Sequence, residues 1–120
     1  MAGKLMVSIT HAKVNPDKAT VGFVVANAAL ASGQETVVFL STEGVRLSTK
    51  GYADDIHEEG FAPLKDLIQQ FADAGGSIWV CSPCFKRRQL SEAELLPKCT
   101  IVGGAKAVEF LSQGAGCLTY

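Results

Sequence analysis

The sequence predicts a single α/β domain spanning 1–120, built as three layers (α/β/α) around a mostly parallel sheet of about five strands, flavodoxin-like in architecture. Three observations predict it. Short apolar runs alternate with helix-period patterns along the chain, which is the order of parallel strands joined by crossover helices. The runs are apolar at successive positions, as in Thr36-Val37-Val38-Phe39-Leu40, and that suits strands covered on both faces. Finally, 120 residues, 48% of them hydrophobic, supply one core and little room for a second.

Leu5–Ile9 reads as the first strand. Asn15-Pro16-Asp17 then starts a helix: Asn caps, Pro suits the first turn, and Asp favours the positive helix end. That helix is predicted to run to Ala31, with Val21, Val24, Val25, Ala28 and Ala29 at helical spacing. Phe23, Ala26 and Leu30 lie on other faces, so burial on more than one side is expected. Ser32-Gly33 ends it. Thr36–Leu40 is the second strand. Ser41 to Gly60 is polar and glycine-bearing, and reads as a long loop, functional or partly mobile.

Leu64, Leu67, Ile68, Phe71 and Ala72 fall at i, i+3, i+4, i+7 and i+8, the stripe of a helix buried on one side, stopped by Gly75-Gly76. Ser77–Val80 is the third strand and leads into Cys81. Ser82-Pro83 resembles a helix start with Ser as cap, and Ser91-Glu92-Ala93-Glu94 carries capping-box spacing before Leu95 and Leu96, closed by Pro97. A strand at Thr100–Val102, a helix at Ala105–Leu111 and a strand at Cys117–Tyr120 complete the order.

The net charge of −1 argues against a nucleic-acid binder, which shows a basic excess or stripe. The dense basic cluster Lys86-Arg87-Arg88 suits one small anion and is too short for a duplex footprint. The N-terminal run Met1–Ile9 is shorter than a secretory signal, and no run reaches the roughly 20 apolar residues of a spanning helix. The expected location is therefore the cytoplasm, without membrane attachment. Its four cysteines are then mostly reduced, which favours sulfur chemistry, catalysis or metal binding over structural disulfides. A mean hydropathy of +0.20 is high for so small a body, and a homo-oligomer is the expected remedy.

Ligands of open parallel sheets bind beyond the carboxyl ends of the strands. His11, Ser41-Thr42-Glu43, Cys81 and Gly103-Gly104 all fall there. Cys81 and Cys84 are the strongest local signal. A thiolate is the reactive form of cysteine, and helix N-termini and cations lower its pKa. Ser82 at the helix start, with Lys86, Arg87 and Arg88 in the turns after it, would steady a thiolate, a persulfide or a small anion. The spacing also lets one thiol attack a disulfide or persulfide on the other. The alternatives are half a metal site or two incidental thiols.

A four-cysteine zinc site is disfavoured. Cys99 precedes its strand, so a strand length of about 16 Å separates it from Cys81, whereas zinc–sulfur bonds are about 2.3 Å. Cys99 and Cys117 are expected as buried small hydrophobes. No metal and no cofactor are expected. His11 reads first as a loop residue, with proton carrier or ligand as the alternatives. His57 reads as a solvated loop residue, and Asp54, Asp55, Glu58 and Glu59 as solvated charge.

With these residues in place, the chain resembles the DsrE/DsrF-like family over nearly its whole length. The pieces that carry the resemblance are Ala28-Ala29-Leu30-Ala31-Ser32-Gly33 before Thr36–Leu40, Glu43-Gly44-Val45-Arg46-Leu47, Cys81-Ser82-Pro83-Cys84-Phe85-Lys86-Arg87-Arg88, and Cys117-Leu118-Thr119-Tyr120. The resemblance implies a three-layer domain assembled as a trimer or hexamer. It also implies a cysteine that accepts persulfide sulfur and passes it between donor and acceptor proteins. In relay members a single cysteine precedes an Arg-Arg or Arg-Gly pair by six or seven residues, the distance of Cys81 from Arg87 and Arg88, and other members carry a CxxC, which this chain resembles too; where a glycine commonly follows the arginine, this chain has Gln89. Cys81 is then expected as acceptor and Cys84 as the assisting thiol, with Glu43 and His11 as accessory groups. A dithiol oxidoreductase or redox sensor using the same pair is the alternative, and a non-catalytic assembly module is the third.

Overall fold

The computed structural model describes residues 3–120, so the first two residues of the N-terminal run weighed as a leader lie outside it. Its elements are β1 (Lys4–Ile9), α1 (Pro16–Ala31), β2 (Glu35–Leu40), α2 (Leu64–Asp73), β3 (Ser77–Cys81), α3 (Ser82–Arg87), β4 (Cys99–Val102), α4 (Gly104–Ser112) and β5 (Gly116–Thr119). The five strands form one sheet in the order β4-β3-β2-β1-β5, and every neighbouring pair is parallel. The α/β class is as the sequence predicts. The strand order differs from the flavodoxin order 2-1-3-4-5, in which the first strand lies between the second and third; here β1 lies between β2 and β5.

The order explains the layers. From β1 to β4 the chain steps in one direction, and then α4 carries it back across the sheet to β5. Connections of one hand put helices on opposite faces when the steps reverse. Accordingly Phe23 of α1, Phe71 of α2 and Phe85 of α3 share one core with Val7, Ile9, Val38, Leu40, Ile78 and Val80. On the other face Ala107 and Phe110 of α4 cover Met6 and Val37, with Trp79 stacked edge-on to Phe110 at 5.6 Å. Three helices cover one face and one helix the other.

Local chemistry fixes the main helices. Asn15 Oδ1 accepts from the Lys18 N–H, so α1 begins where the sequence predicts. Its buried side is Ala19, Gly22, Phe23, Ala26 and Ala29, rather than the valine row that the spacing suggests; Val24 and Val25 are half-buried and Ala28 is exposed. Small residues win that face because α1 lies so close to β1: a Cβ on Gly22 would stand 2.6 Å from Ile9 Cδ1. In α2 the predicted stripe is the buried one, and Phe71 meets Phe23 edge-to-face at 6.0 Å. Asn27 Nδ2 donates to Leu67 O at 3.0 Å and ties the two helices together.

The segment Ser41 to Gly60 corrects the expectation of a partly mobile loop. It opens as a 3-10 helix over Thr42–Ser48, with Gly44, Val45, Leu47 and Ser48 buried, and Ala53 and Ile56 join the core further on. Its end pairs with the stretch before β4: Thr49 bridges Leu95, and Leu96 N–H donates to Ser48 O at 2.8 Å. The predicted helix at Ser91 is a single 3-10 turn, Glu92–Glu94, in which Ser91 Oγ accepts from Ala93 N. No described helix is long and apolar enough to cross a membrane.

Candidate functional site

Strand β3 runs into α3 without a connecting loop. Cys81 is therefore both the last strand residue and the N-cap of the helix, and Cys84 sits in the first turn. The expectation of Ser82 as cap is corrected: Ser82 lies one step inside the helix, and no side chain caps this end. Pro83 occupies the first turn, where its missing N–H costs nothing.

The helix is only six residues long because the chain turns left-handed at Gln89, φ +55°. Gln89 N–H donates to Lys86 O and Leu90 N–H to Phe85 O, the paired bonds of a Schellman closure. Helices α1 and α2 end in the same way with Gly33 and Gly75 at the left-handed position, and Gly114 takes that position after α4 with a single bond to Leu111 O. Glutamine thus occupies a turn that favours glycine, which settles what the departure at this position does locally. Its exposed side chain packs on nothing that would be missed. Gln89→Gly is expected to raise stability by about 1 kcal/mol, read as a melting temperature about 4 °C higher; an unchanged or lower value would show that the turn carries no strain.

Both thiols are free and half-buried. Burial raises the pKa of Cys81 first of all, and an anion on Cys84 raises it further; the Cys84 backbone N–H and the Arg88 charge pull it down, but less. This corrects the expectation of a Cys81 thiolate favoured by the helix start: desolvation outweighs what the first-turn N–H and the Arg88 charge contribute.

The three cations after Cys84 part company on the helix. Lys86 and Arg87 are exposed, and Lys86 lines a hollow of about 330 Å³ with Phe85, Leu90, Glu92 and Ile101. Arg88 turns back: its Nε donates to Glu43 Oε2 at 2.6 Å, and a terminal N–H donates to the Cys84 carbonyl at 3.2 Å. Glu43 Oε1 also accepts from Arg46 Nε at 2.9 Å. These two guanidinium bonds, Arg88 first, hold the Glu43 carboxyl below its usual range. The structure thus brings Glu43 to the thiol helix. Arg46 escaped the sequence reading, although its i+3 spacing from Glu43 was the available signal.

His11 is not brought to the thiols. It follows β1, two strands from β3, and its Nδ1 lies 3.0 Å from Thr10 Oγ1, which donates to Tyr120 O. His57 Nε2 lies 2.8 Å from Phe61 O, and Asp55 pairs with Lys13 at 3.1 Å. Gly103 is the N-cap of α4. Cys99 pairs with Ile78, three residues below Cys81, so about 10 Å of strand separates the two levels. Burial pushes the Cys99 thiol up to about 12. Cys117 was expected buried, but β5 is an edge strand with all four residues exposed, Cys117 among them. Among the described residues no three His, Cys, Asp or Glu side chains gather into a metal cluster.

Two thiols at i and i+3 across a helix start can exchange sulfur with a donor or with each other. The chain is similar to known proteins in sequence and in fold. A sequence profile of the DsrE/DsrF-like family matches residues 3–120. An uncharacterised protein of Methanocaldococcus jannaschii is 28% identical over 110 residues, 92% of this chain and 40% of that protein. An uncharacterised protein of Methanopyrus kandleri is 30% identical over 92 residues, 77% of this chain and 73% of that protein. The chain therefore spans two-fifths of the length of the first relative and about three-quarters of the second. Among solved structures, the ychN protein of E. coli superimposes with a TM-score of 0.81 at 17% identity, over all of both chains. A Methanobacterium thermoautotrophicum protein of unknown function gives 0.72 at 10% identity, also over all of both chains.

Proposed function

The chain belongs to the DsrE/DsrF-like family, and from that premise we propose that it is a cytoplasmic sulfur carrier, or the sulfur-accepting subunit of a sulfurtransferase, with Cys81 as acceptor and Cys84 as its partner. The observation that carries the reading is the seating of both free, half-buried thiols on the β3–α3 turn, Cys81 as the N-cap and Cys84 in the first turn, with Arg88 donating to the Cys84 carbonyl. The Cys81 thiolate attacks the outer sulfur of a donor persulfide. The donor S–S bond breaks, a new one forms on Cys81, and the donor leaves as a thiolate. No external oxidant or reductant is consumed. A recipient thiolate can then repeat the attack on the same outer sulfur. Alternatively Cys84 attacks the inner sulfur, which leaves a Cys81–Cys84 disulfide and releases hydrosulfide.

A raised Cys81 pKa suits a carrier. The resting thiol is mostly protonated and reacts slowly with chance electrophiles. A hydropersulfide is a stronger acid than the thiol it replaces, so the loaded form keeps its negative charge where the Cys84 N–H and Arg88 favour it. Self-association as a trimer or hexamer is part of the proposal. It is supported by the sheet face that α4 alone covers, and by Val108 and Leu118, which are 66% and 45% exposed.

Incubation with a persulfide donor followed by intact-mass measurement tests the role. The wild type should gain about 32 Da per sulfur atom, Cys84→Ser should still load, and Cys81→Ser should not. Loading should still be climbing at about pH 8.5, where an ordinary cysteine is half ionised, because the Cys81 pKa lies higher. Equal loading of wild type and Cys81→Ser would remove Cys81 from the role. The i, i+3 spacing also favours a dithiol–disulfide couple, and a pair found fully oxidised at cytosolic potential would favour that reading instead.

A further inference from the structure

We propose that Glu43 is a positioning residue for the thiol pair: through Arg88 it sets how much positive charge reaches the two sulfurs. The inference rests on the thiols being reactive and adds a control that lies outside the Cys81–Arg88 segment. Glu43 is carried by the 3-10 helix, not by α3. Its place is fixed by backbone packing, since a Cβ on the adjoining Gly44 would stand 2.1 Å from Ile9 O. The carboxylate is thus an anchor to which Arg88 comes, rather than a flexible group that follows it. Arg88 is the more buried partner, its side chain 13% exposed against 38% for Glu43.

The geometry divides the guanidinium between two acceptors. Nε goes to Glu43, and a terminal N–H goes to the carbonyl of Cys84. Held there, Arg88 lies against the backbone of the thiol turn. The charged groups gathered at this contact are Glu43 and Arg46 from the 3-10 helix and Arg88 from α3, a sum of +1; Lys86 and Arg87 face outward. Without the carboxylate charge the sum becomes +2 beside two ionisable sulfurs. Glu43 therefore both holds Arg88 in place and damps its field. An ion pair that merely fastened α3 to the 3-10 helix would, on loss of either charge, loosen α3 and speed labelling in both single variants, because burial is what raises the Cys81 pKa.

Iodoacetamide labelling of the whole chain across pH, read cysteine by cysteine in wild type, Glu43→Gln, Arg88→Met and the double variant, separates the two roles. Glu43→Gln keeps an acceptor for Arg88 but removes the charge, so the first thiol to ionise should do so at lower pH. A fall of one unit would give about tenfold more thiolate, and the weaker nucleophile would return about threefold, leaving labelling at pH 7 about threefold faster. Arg88→Met should slow labelling, and the double variant, whose charge at the contact is again +1 through Arg46, should label faster than Arg88→Met and return toward the wild-type rate. Arg46→Met lies on the far side of the carboxylate and leaves α3 untouched. It should slow labelling, the opposite sign to Glu43→Gln. Faster labelling in both Glu43→Gln and Arg88→Met, no change in labelling from Glu43→Gln, or changes in melting temperature alone, would overturn the positioning role. Failure of persulfide loading would sink the carrier reading yet leave these titrations intact, because alkylation asks only for a thiolate.

Discussion

Gly44→Ala should destabilise the protein by about 3–4 kcal/mol, a third or more of the stability of many domains this size. The reason is contact, not backbone freedom. The new Cβ would stand 2.1 Å from Ile9 O and 2.9 Å from Ile9 C, and both are backbone atoms of a strand paired on each side. No rotamer change relieves the overlap, so the 3-10 helix has to back away from β1. Retreat would break the Ser41 N–H bond to Ile9 O at 3.2 Å and loosen Val45 and Leu47, which are 0% and 1% exposed. It would also draw Glu43 away from Arg88, so the variant's thiols should titrate differently even at temperatures where it stays folded. Gly104→Ala is the control. That glycine opens α4 with no heavy atom within 4 Å of the place a methyl would take, and alanine there should be neutral or slightly stabilising. Chemical denaturation of both variants checks the contrast; a Gly44→Ala loss under about 1 kcal/mol would mean that the 3-10 helix adjusts freely.

Gly44 also shows where sequence reasoning ran out. The stripe of α2 and the Asn15 start of α1 are local signals, periodicity and cap chemistry, and local signals can be read in order along a chain. The 3-10 helix has a period near three with few repeats, so its buried Val45 and Leu47 looked like scattered apolar residues in a polar loop. Only the β1 end that it packs against gives it a place. The same limit applied to Lys86-Arg87-Arg88. Adjacent in sequence, they read as one cationic cluster, but successive helical residues point about 100° apart, and only Arg88 turns to Glu43. The thiol pair was legible from its spacing. Its acidity was not, because burial of Cys81 depends on the core beneath α3.

That dependence makes Phe85→Ala the sharper test of how the site is held. A helix of six residues has no stability of its own. Helix α3 stays in place through the Glu43–Arg88 pair, the Schellman closure and Phe85, which is 2% exposed and sits in the main core. Truncation to alanine should cost about 3–4 kcal/mol and let the helix start loosen. Water would then reach Cys81, and its pKa should fall toward the ordinary cysteine value, since burial is the first cause of its rise. Faster labelling of Cys81 at neutral pH is the expected reading. Phe110→Ala provides the comparison, because Phe110 is 4% exposed but belongs to α4 and the small core on the opposite face. It should cost a similar amount in denaturant unfolding while the Cys81 titration stays where it was. Equal shifts in both variants would trace the thiol's acidity to global loosening, whereas a shift confined to Phe85→Ala ties it to the docking of one short helix.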